Sequence, residues 1–217
     1  MIEFLPVIIL VTSFLVLLTL GVPVAWCIAI SSLFTLMSVM PFSAATTTVS
    51  QRIATGLDSF ALLAIPFFIL SGQIMSEGGI AHRLISFAKT LVGFLPGGLA
   101  LINIVSAMMM GAIAGSAMAS ASAMGTILGP EMEKEGYSKE FGAAVNITSS
   151  TTGLVIPPSN TLIVYSLASG GVSIAALFLA GYIPGILTGL LMMIVAMVWA
   201  KKHKYPVGKR SSLKEVF

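Results

Sequence analysis

The stretch GAIAGSAMASAS, Gly111 to Ser122, lies at the centre of an uncharged run that extends from Thr90 to Pro130. A membrane-spanning helix takes about 20 apolar residues. After the break at Pro96-Gly97-Gly98 the run is long for one span and too short for two. It therefore either crosses the bilayer or dips in and returns, and the flanking charges choose between the two. If Leu99–Pro130 crossed, Arg83 and Lys89 would lie opposite Lys134, Lys139 and the Lys201–Arg210 cluster. If it returns, Arg83, Lys89, Lys134, Lys139, Lys201, Lys202, Lys204, Lys209, Arg210 and Lys214 share one side. Of the 11 Lys and Arg residues only Arg52 is then left on the other. Basic residues collect on the cytoplasmic side, so the sequence predicts a re-entrant helical hairpin with its tip near Gly115–Ser122. Irregular backbone at membrane depth is tolerated only where it is buried in protein or lines an aqueous cavity. The tip is therefore expected to face away from lipid.

Composition points the same way. Of 217 residues 57% are hydrophobic and 9% charged, and the mean hydropathy is +1.03. A soluble domain carries about 25% charged residues, so this chain lacks the charge to coat a water-facing globule. The net charge of +3 sits in short loops between apolar runs, where it orients a membrane protein, and this argues against a nucleic-acid partner. The single cysteine, Cys27, excludes an internal disulfide and a cysteine zinc site, and reads as a small buried apolar residue. His82, beside Arg83, reads as a surface histidine. No catalytic constellation is present, so the chain is not read as an enzyme. The first charge is Glu3 and none follows until Arg52. The N-terminal run is thus too long for a signal peptide and reads as an anchor that stays.

Outward from the hairpin, Gly21-Val22-Pro23 divides the first apolar run into spans Phe4–Leu20 and Val24–Met40. Pro41–Ser59 is polar and reads as a loop. A third span covers Phe60–Met75 with Pro66 inside it. Ile80–Phe94 reads as an amphipathic piece along the interface. Phe141–Ala168 is a span broken at Pro157-Pro158-Ser159-Asn160, and Ser173–Trp199 is a whole one. The tail from Lys201 reads as basic and solvated. The expected fold class is all-α: a polytopic membrane protein with five spanning helices plus the re-entrant hairpin, N-terminus outside and C-terminus inside. An odd number of crossings would invert a second copy joined after the tail. Inverted repeats with sites at discontinuous helices are typical of secondary transporters, and this chain reads as one such repeat.

Two segments carry the chemistry. Gly115–Ser122 and Asn146–Thr161 place hydroxyls, glycines and amides inside apolar runs. Pro157 and Pro158 remove two backbone donors and free upstream carbonyls, and Ile156 before a proline is pushed away from helix. Unwound carbonyls and helix C-terminal ends can coordinate sodium. The helix start near Ser159-Asn160-Thr161 suits anionic groups. Small residues also let spanning helices pack closely, and packing is the preferred reading for Gly111, Ala112, Ala114 and Ala123. For Pro157-Pro158 with its flanking hydroxyls, site and packing both stand. No Asp or Glu lies inside a predicted span, which argues against a carboxylate proton relay.

The stretch from Gly111 to Leu187, with GLVIPPSN at residues 153–160, strongly resembles the large membrane subunit of tripartite ATP-independent periplasmic (TRAP) transporters. GVPVAWCIA at 21–29 and the segment from Ala64 to Ser116 resemble it as well, so the likeness covers nearly the whole chain. Ser120 departs from the family pattern, in which an acidic residue is expected. The resemblance implies one repeat of an inverted-repeat elevator-type fold of the ion-transporter superfamily. It implies a permease component of a sodium-coupled, binding-protein-dependent secondary transporter in the bacterial inner membrane, with a periplasmic N-terminus and a cytoplasmic C-terminus. The cargo would be an organic acid such as a C4-dicarboxylate, a keto acid or sialic acid. The implied partners are a small TRAP membrane subunit, a periplasmic substrate-binding protein and the missing second half of the permease. By motif match Ser116, Ser120, Gly153, Ile156, Pro157 and Ser159 would surround sodium, the coupling ion, and Asn160 and Thr161 would lie nearer the substrate. Residues 1–78 would be scaffold, 79–96 an interfacial arm, 97–170 the transport-domain hairpin and broken helix, 171–200 a spanning helix and 201–217 a cytoplasmic connector. A non-transporting membrane scaffold and a channel-like pore are the alternatives.

Overall fold

The computed structural model describes residues 4–58 and 60–208. Among them every regular element is helical, and β-type pairing is limited to one isolated bridge between Pro96 and Val207. The chain divides into two compact units, Met1–Phe60 and Ala61–Phe217.

The first unit holds α1 (Leu5–Thr19), α2 (Val24–Met37) and α3 (Phe42–Leu57). Gly21 takes a left-handed φ of 78°, which turns the chain between α1 and α2 where the sequence predicts a break. Cys27 is fully buried and its thiol donates to the Val22 carbonyl at 3.2 Å. The third helix corrects the sequence reading, in which Pro41–Ser59 is a loop. Its Thr residues are compatible with helix because their hydroxyls fold back on the preceding turn. Thr46 donates to Phe42 O at 3.0 Å, Thr47 to Ser43 O at 2.8 Å and Thr55 to Gln51 O at 2.8 Å. Polarity alone did not break the helix, and no glycine interrupts it before Gly56.

The second unit begins with α4 (Phe60–Glu77), which carries Pro66 internally, and α5 (Ile80–Val92). Then come α6 (Gly98–Ala114) and α7 (Ala117–Lys134), the arms of the hairpin. A broken pair follows: α8 (Lys139–Ser150), a 3₁₀ turn (Thr151–Leu154) and α9 (Asn160–Ala168). The long α10 (Ile174–Lys202) closes the unit. Its 29 residues correspond to about 43 Å at 1.5 Å rise per residue. Among the described residues α10 is the one helix that is by itself long and apolar enough to cross a membrane, while α1, α2 and α6 are shorter apolar helices. Its outer face leaves Leu179 72% and Ile183 77% exposed. An exposed apolar surface of this kind suits lipid, not water.

The core of this unit is built around α6, which is buried almost all round: Leu99, Ala100, Leu101, Ile102, Ile104, Ala107 and Met110. Met124, Leu128 and Met132 of α7 join the same cluster. They fall at intervals of four residues, one face of a helix. Away from the tip, Lys89 lines the same cavity as Glu131 and Glu135. The two ends of the 90–130 run are thus side by side. The described tail residues 201–208 are exposed, as expected, apart from half-buried Tyr205, whose ring stacks on Tyr137 at 4.4 Å and whose hydroxyl accepts from the Ser138 N–H at 3.4 Å. Residues 209–217 of the expected connector lie outside the described residues.

Candidate functional site

The hairpin tip is set by Gly115 and Ser116. Gly115 ends α6 with a left-handed φ of 60°, its N–H donating to Gly111 O at 2.8 Å. A residue with a Cβ adopts that conformation only at a cost. Ser116 is extended and caps α7, its hydroxyl accepting from the Ala119 N–H at 3.4 Å. One turn on, fully buried Ser120 donates to Ala107 O of α6 at 3.2 Å. A bond across 13 residues is possible only if α7 folds back along α6.

The break is set by the prolines. Past α8 the N–H groups of Val155 and Ile156 both return to Thr152 O, at 3.0 and 2.8 Å. Pro157 and Pro158 have no N–H to continue the ladder, and the bond between them is cis. Ser159 restarts helix: it is extended, and its hydroxyl accepts from the Leu162 N–H at 3.3 Å while donating to Leu154 O at 2.6 Å. One buried hydroxyl thus joins both sides of the interruption. Ile156, Pro157 and Ser159 are all buried.

Tip and break meet backbone to backbone. A Cβ on Gly153 would lie 2.8 Å from the Gly111 Cα and 3.7 Å from the Ser116 carbonyl oxygen. A Cβ on Gly115 would lie 2.8 Å from Pro158 O and 3.5 Å from the Asn160 nitrogen. The Asn160 N–H donates to Gly115 O at 3.4 Å. Ser116, Gly153 and Asn160 are thus brought together. Thr161 is exposed and lies outside the cavity that Asn160 lines. The carbonyl group of the Asn160 side chain is buried without a hydrogen-bond partner. An orphaned buried acceptor is costly, so this one suits a group that binds there. The N-termini of α7 and α9 converge on the same place and carry partial positive charge. Among the described residues no group of three or more His, Cys, Asp and Glu side chains comes together. The donors here are neutral hydroxyls and carbonyls, the set that suits a hard cation.

Two supporting features were not read from the sequence. Asn103 of α6, 1% exposed, accepts from the Ser149 hydroxyl at 3.0 Å and approaches Asn146 Oδ1 at 3.5 Å, while Asn146 donates to Ala121 O at 2.9 Å. This network ties α6, α7 and α8 beneath the site. A lone Asn in an apolar run was the available signal. The second feature is Gly181, Gly185 and Gly189, buried on one face of α10. A Cβ on Gly181 would lie 2.5 Å from Val155 O, and one on Gly185 would lie 2.5 Å from Ile156 Cγ1. Their i, i+4, i+8 spacing was the signal for this close approach.

A family model described as the tripartite ATP-independent periplasmic transporter DctM component matches residues 11–217. The chain is 55% identical, over 97% of its length, to 48% of an uncharacterised protein YgiK of Salmonella typhimurium. It is 41% identical, over 89% of its length, to 43% of a C4-dicarboxylate TRAP transporter large permease protein DctM of Vibrio cholerae. It is 37% identical, over 77% of its length, to 39% of a sialic acid TRAP transporter large permease protein SiaM of the same species. The chain spans less than half the length of each of these relatives.

Proposed function

This chain belongs to the DctM component family of tripartite ATP-independent periplasmic transporters, a family of transporters and not of enzymes, and from that premise we propose that it forms the sodium-binding half of a permease importing organic acids. The observation that carries the proposal is the backbone contact of the Gly115-Ser116 tip with the proline break at Gly153–Asn160. A sodium ion would be held by oxygens of Ser116, Ser120, Gly153, Ile156, Pro157 and Ser159. With sodium bound, its charge would hold the tip and the break together, and the N-termini of α7 and α9 would favour a carboxylate beside them. Substrate would follow the ion because its negative charge is stabilised most when the cation is in place.

The wider assembly is part of the same proposal. The permease would sit in the bacterial inner membrane, N-terminus periplasmic, with five spanning helices and a re-entrant hairpin in this half. It would work with a small membrane subunit, a periplasmic substrate-binding protein and a second permease half, residues 97–170 moving as an elevator against a scaffold. The likeness to C4-dicarboxylate and sialic acid permeases favours an organic acid as cargo.

The test uses Met118, 84% exposed at the tip, in a Cys27→Ser background. Thiol labelling of Met118→Cys should slow by about tenfold or more when sodium replaces potassium, the factor for a 1.4 kcal/mol preference. Equal labelling in the two salts would leave the segment as packing alone.

A further inference from the structure

A cavity of about 630 Å³ opens beside the tip, entirely within the second unit. One wall carries Ser116, Ser122, Thr126 and Asn160; the facing wall carries Gln73 of α4 and His82 of α5. The walls are held close because Gly72 lies against Ala114: a Cβ there would meet the Ala114 Cα at 3.0 Å. The side chain before α4's Gln73 is thus absent, and α4 approaches the end of α6 closely enough for the Gln73 amide to share a space with the tip.

The lining is amphiphilic in a specific way. Ile69, Met110 and Ile127 supply apolar surface, and no Asp, Glu, Lys or Arg lines the cavity. With no carboxylate in the lining, an anion entering it meets no fixed negative charge. The volume falls within the range of about 300–1,000 Å³ found for small-molecule sites. The walls differ in kind. At the tip the backbone N–H ends of α7 and α9 suit a carboxylate whatever the rest of the molecule carries, while the unpartnered Asn160 carbonyl oxygen, an acceptor, suits a cation or a donor. Gln73 and His82 each offer a donor and an acceptor, and so match hydrogen-bonding oxygens at the far end.

We infer that Gln73 and His82 are specificity-determining residues, reading the end of an organic acid whose carboxylate is held at the hairpin tip. This rests on the sodium-site reading above. Gln73 and His82 are both exposed at the mouth of the cavity, so an acid with oxygens at its far end gains a hydrogen bond with each that an analogue lacking those oxygens does not, a difference of about 1 kcal/mol per bond, or about fivefold. Gln73 and His82 therefore sort acids by their distal oxygens, and the tip does not.

The test follows protection of Met118→Cys from thiol labelling, in Cys27→Ser membranes with sodium present, by succinate, pyruvate and N-acetylneuraminate in turn. With Gln73 and His82 intact, one of these acids should protect at lower concentration than the others. Gln73→Ala and His82→Ala should each change the ratio of half-protecting concentrations between that acid and the others by about fivefold, with sodium protection unchanged. Unchanged sodium protection reports that the variants are folded. An equal change for all three acids, or none, overturns the role of the two residues while leaving the sodium site standing. If no acid protects although sodium does, the substrate cavity is refuted; if sodium also fails to protect, the underlying reading falls with it.

Discussion

At the scale of single residues, the site depends on atoms that are absent. Gly111 and Gly153 face each other with no room for a Cβ on either. Gly153→Ala should destabilise the second unit by about 1–3 kcal/mol, the usual penalty for overpacking, seen as a lower midpoint in detergent unfolding. The buried amide network makes a different demand. Asn103→Leu keeps the volume but leaves Asn146 Oδ1 without its partner and the Ser149 hydroxyl with the Asn146 carbonyl alone, and should cost about 1 kcal/mol in the same assay. Outside the spans, Tyr137 gives a pH signature. Burial pushes its hydroxyl from 10.0 up to about 12, the charge of Glu135 adds to this, and the nearby Leu99 backbone opposes it. The folded chain thus favours the neutral phenol. Its contribution to stability is complete below pH 10 and is lost as pH rises toward about 12. A tyrosinate absorbance titration should show a step near the upper value that Tyr137→Phe removes.

At the scale of elements, the breaks were legible in the sequence and the packing was not. Gly115, Pro157 and Pro158 announce themselves because each changes what the backbone can do locally. The polar run at Pro41–Ser59 misled because composition was read as conformation, and the Thr hydroxyls of α3 satisfy themselves within the helix. The glycine face of α10 went unread because its role appears only against a partner: α9 and α10 flank the break, and Gly185 is what lets Ile156 lie against the helix. Gly185→Leu should push α10 off the break. The expected readout is faster thiol labelling at a cysteine introduced for buried Ile156, with the helix content by circular dichroism unchanged. Of the residues named by motif match, Ser116 and Gly153 lie together in the structure, and Thr161 is exposed where Asn160 is half-buried.

At the scale of the whole molecule, the charge argument and the fold agree on one point that the sequence could state only as a choice. Lys89 lines a cavity with Glu131 and Glu135, so both ends of the hairpin segment lie side by side. Cysteines in place of Lys89 and Lys134 should therefore be modified by a membrane-impermeant reagent from the same side in oriented vesicles. Modification from opposite sides would contradict the hairpin and the ion site built on it. What the sequence could not supply is the set of distant partners, Asn103 with Ser149 and Gly72 with Ala114, since nothing local encodes which turn of one helix meets which turn of another.

The meeting of tip and break is made by main chain, whereas the walls of the cavity beside it are made by replaceable side chains. On the proposed reading, cargo choice and ion coupling would be separable inheritances. A descendant could exchange Gln73, His82 or Thr126, acquire a new nutrient, and keep the same energetic drive without rebuilding the machinery that supplies it.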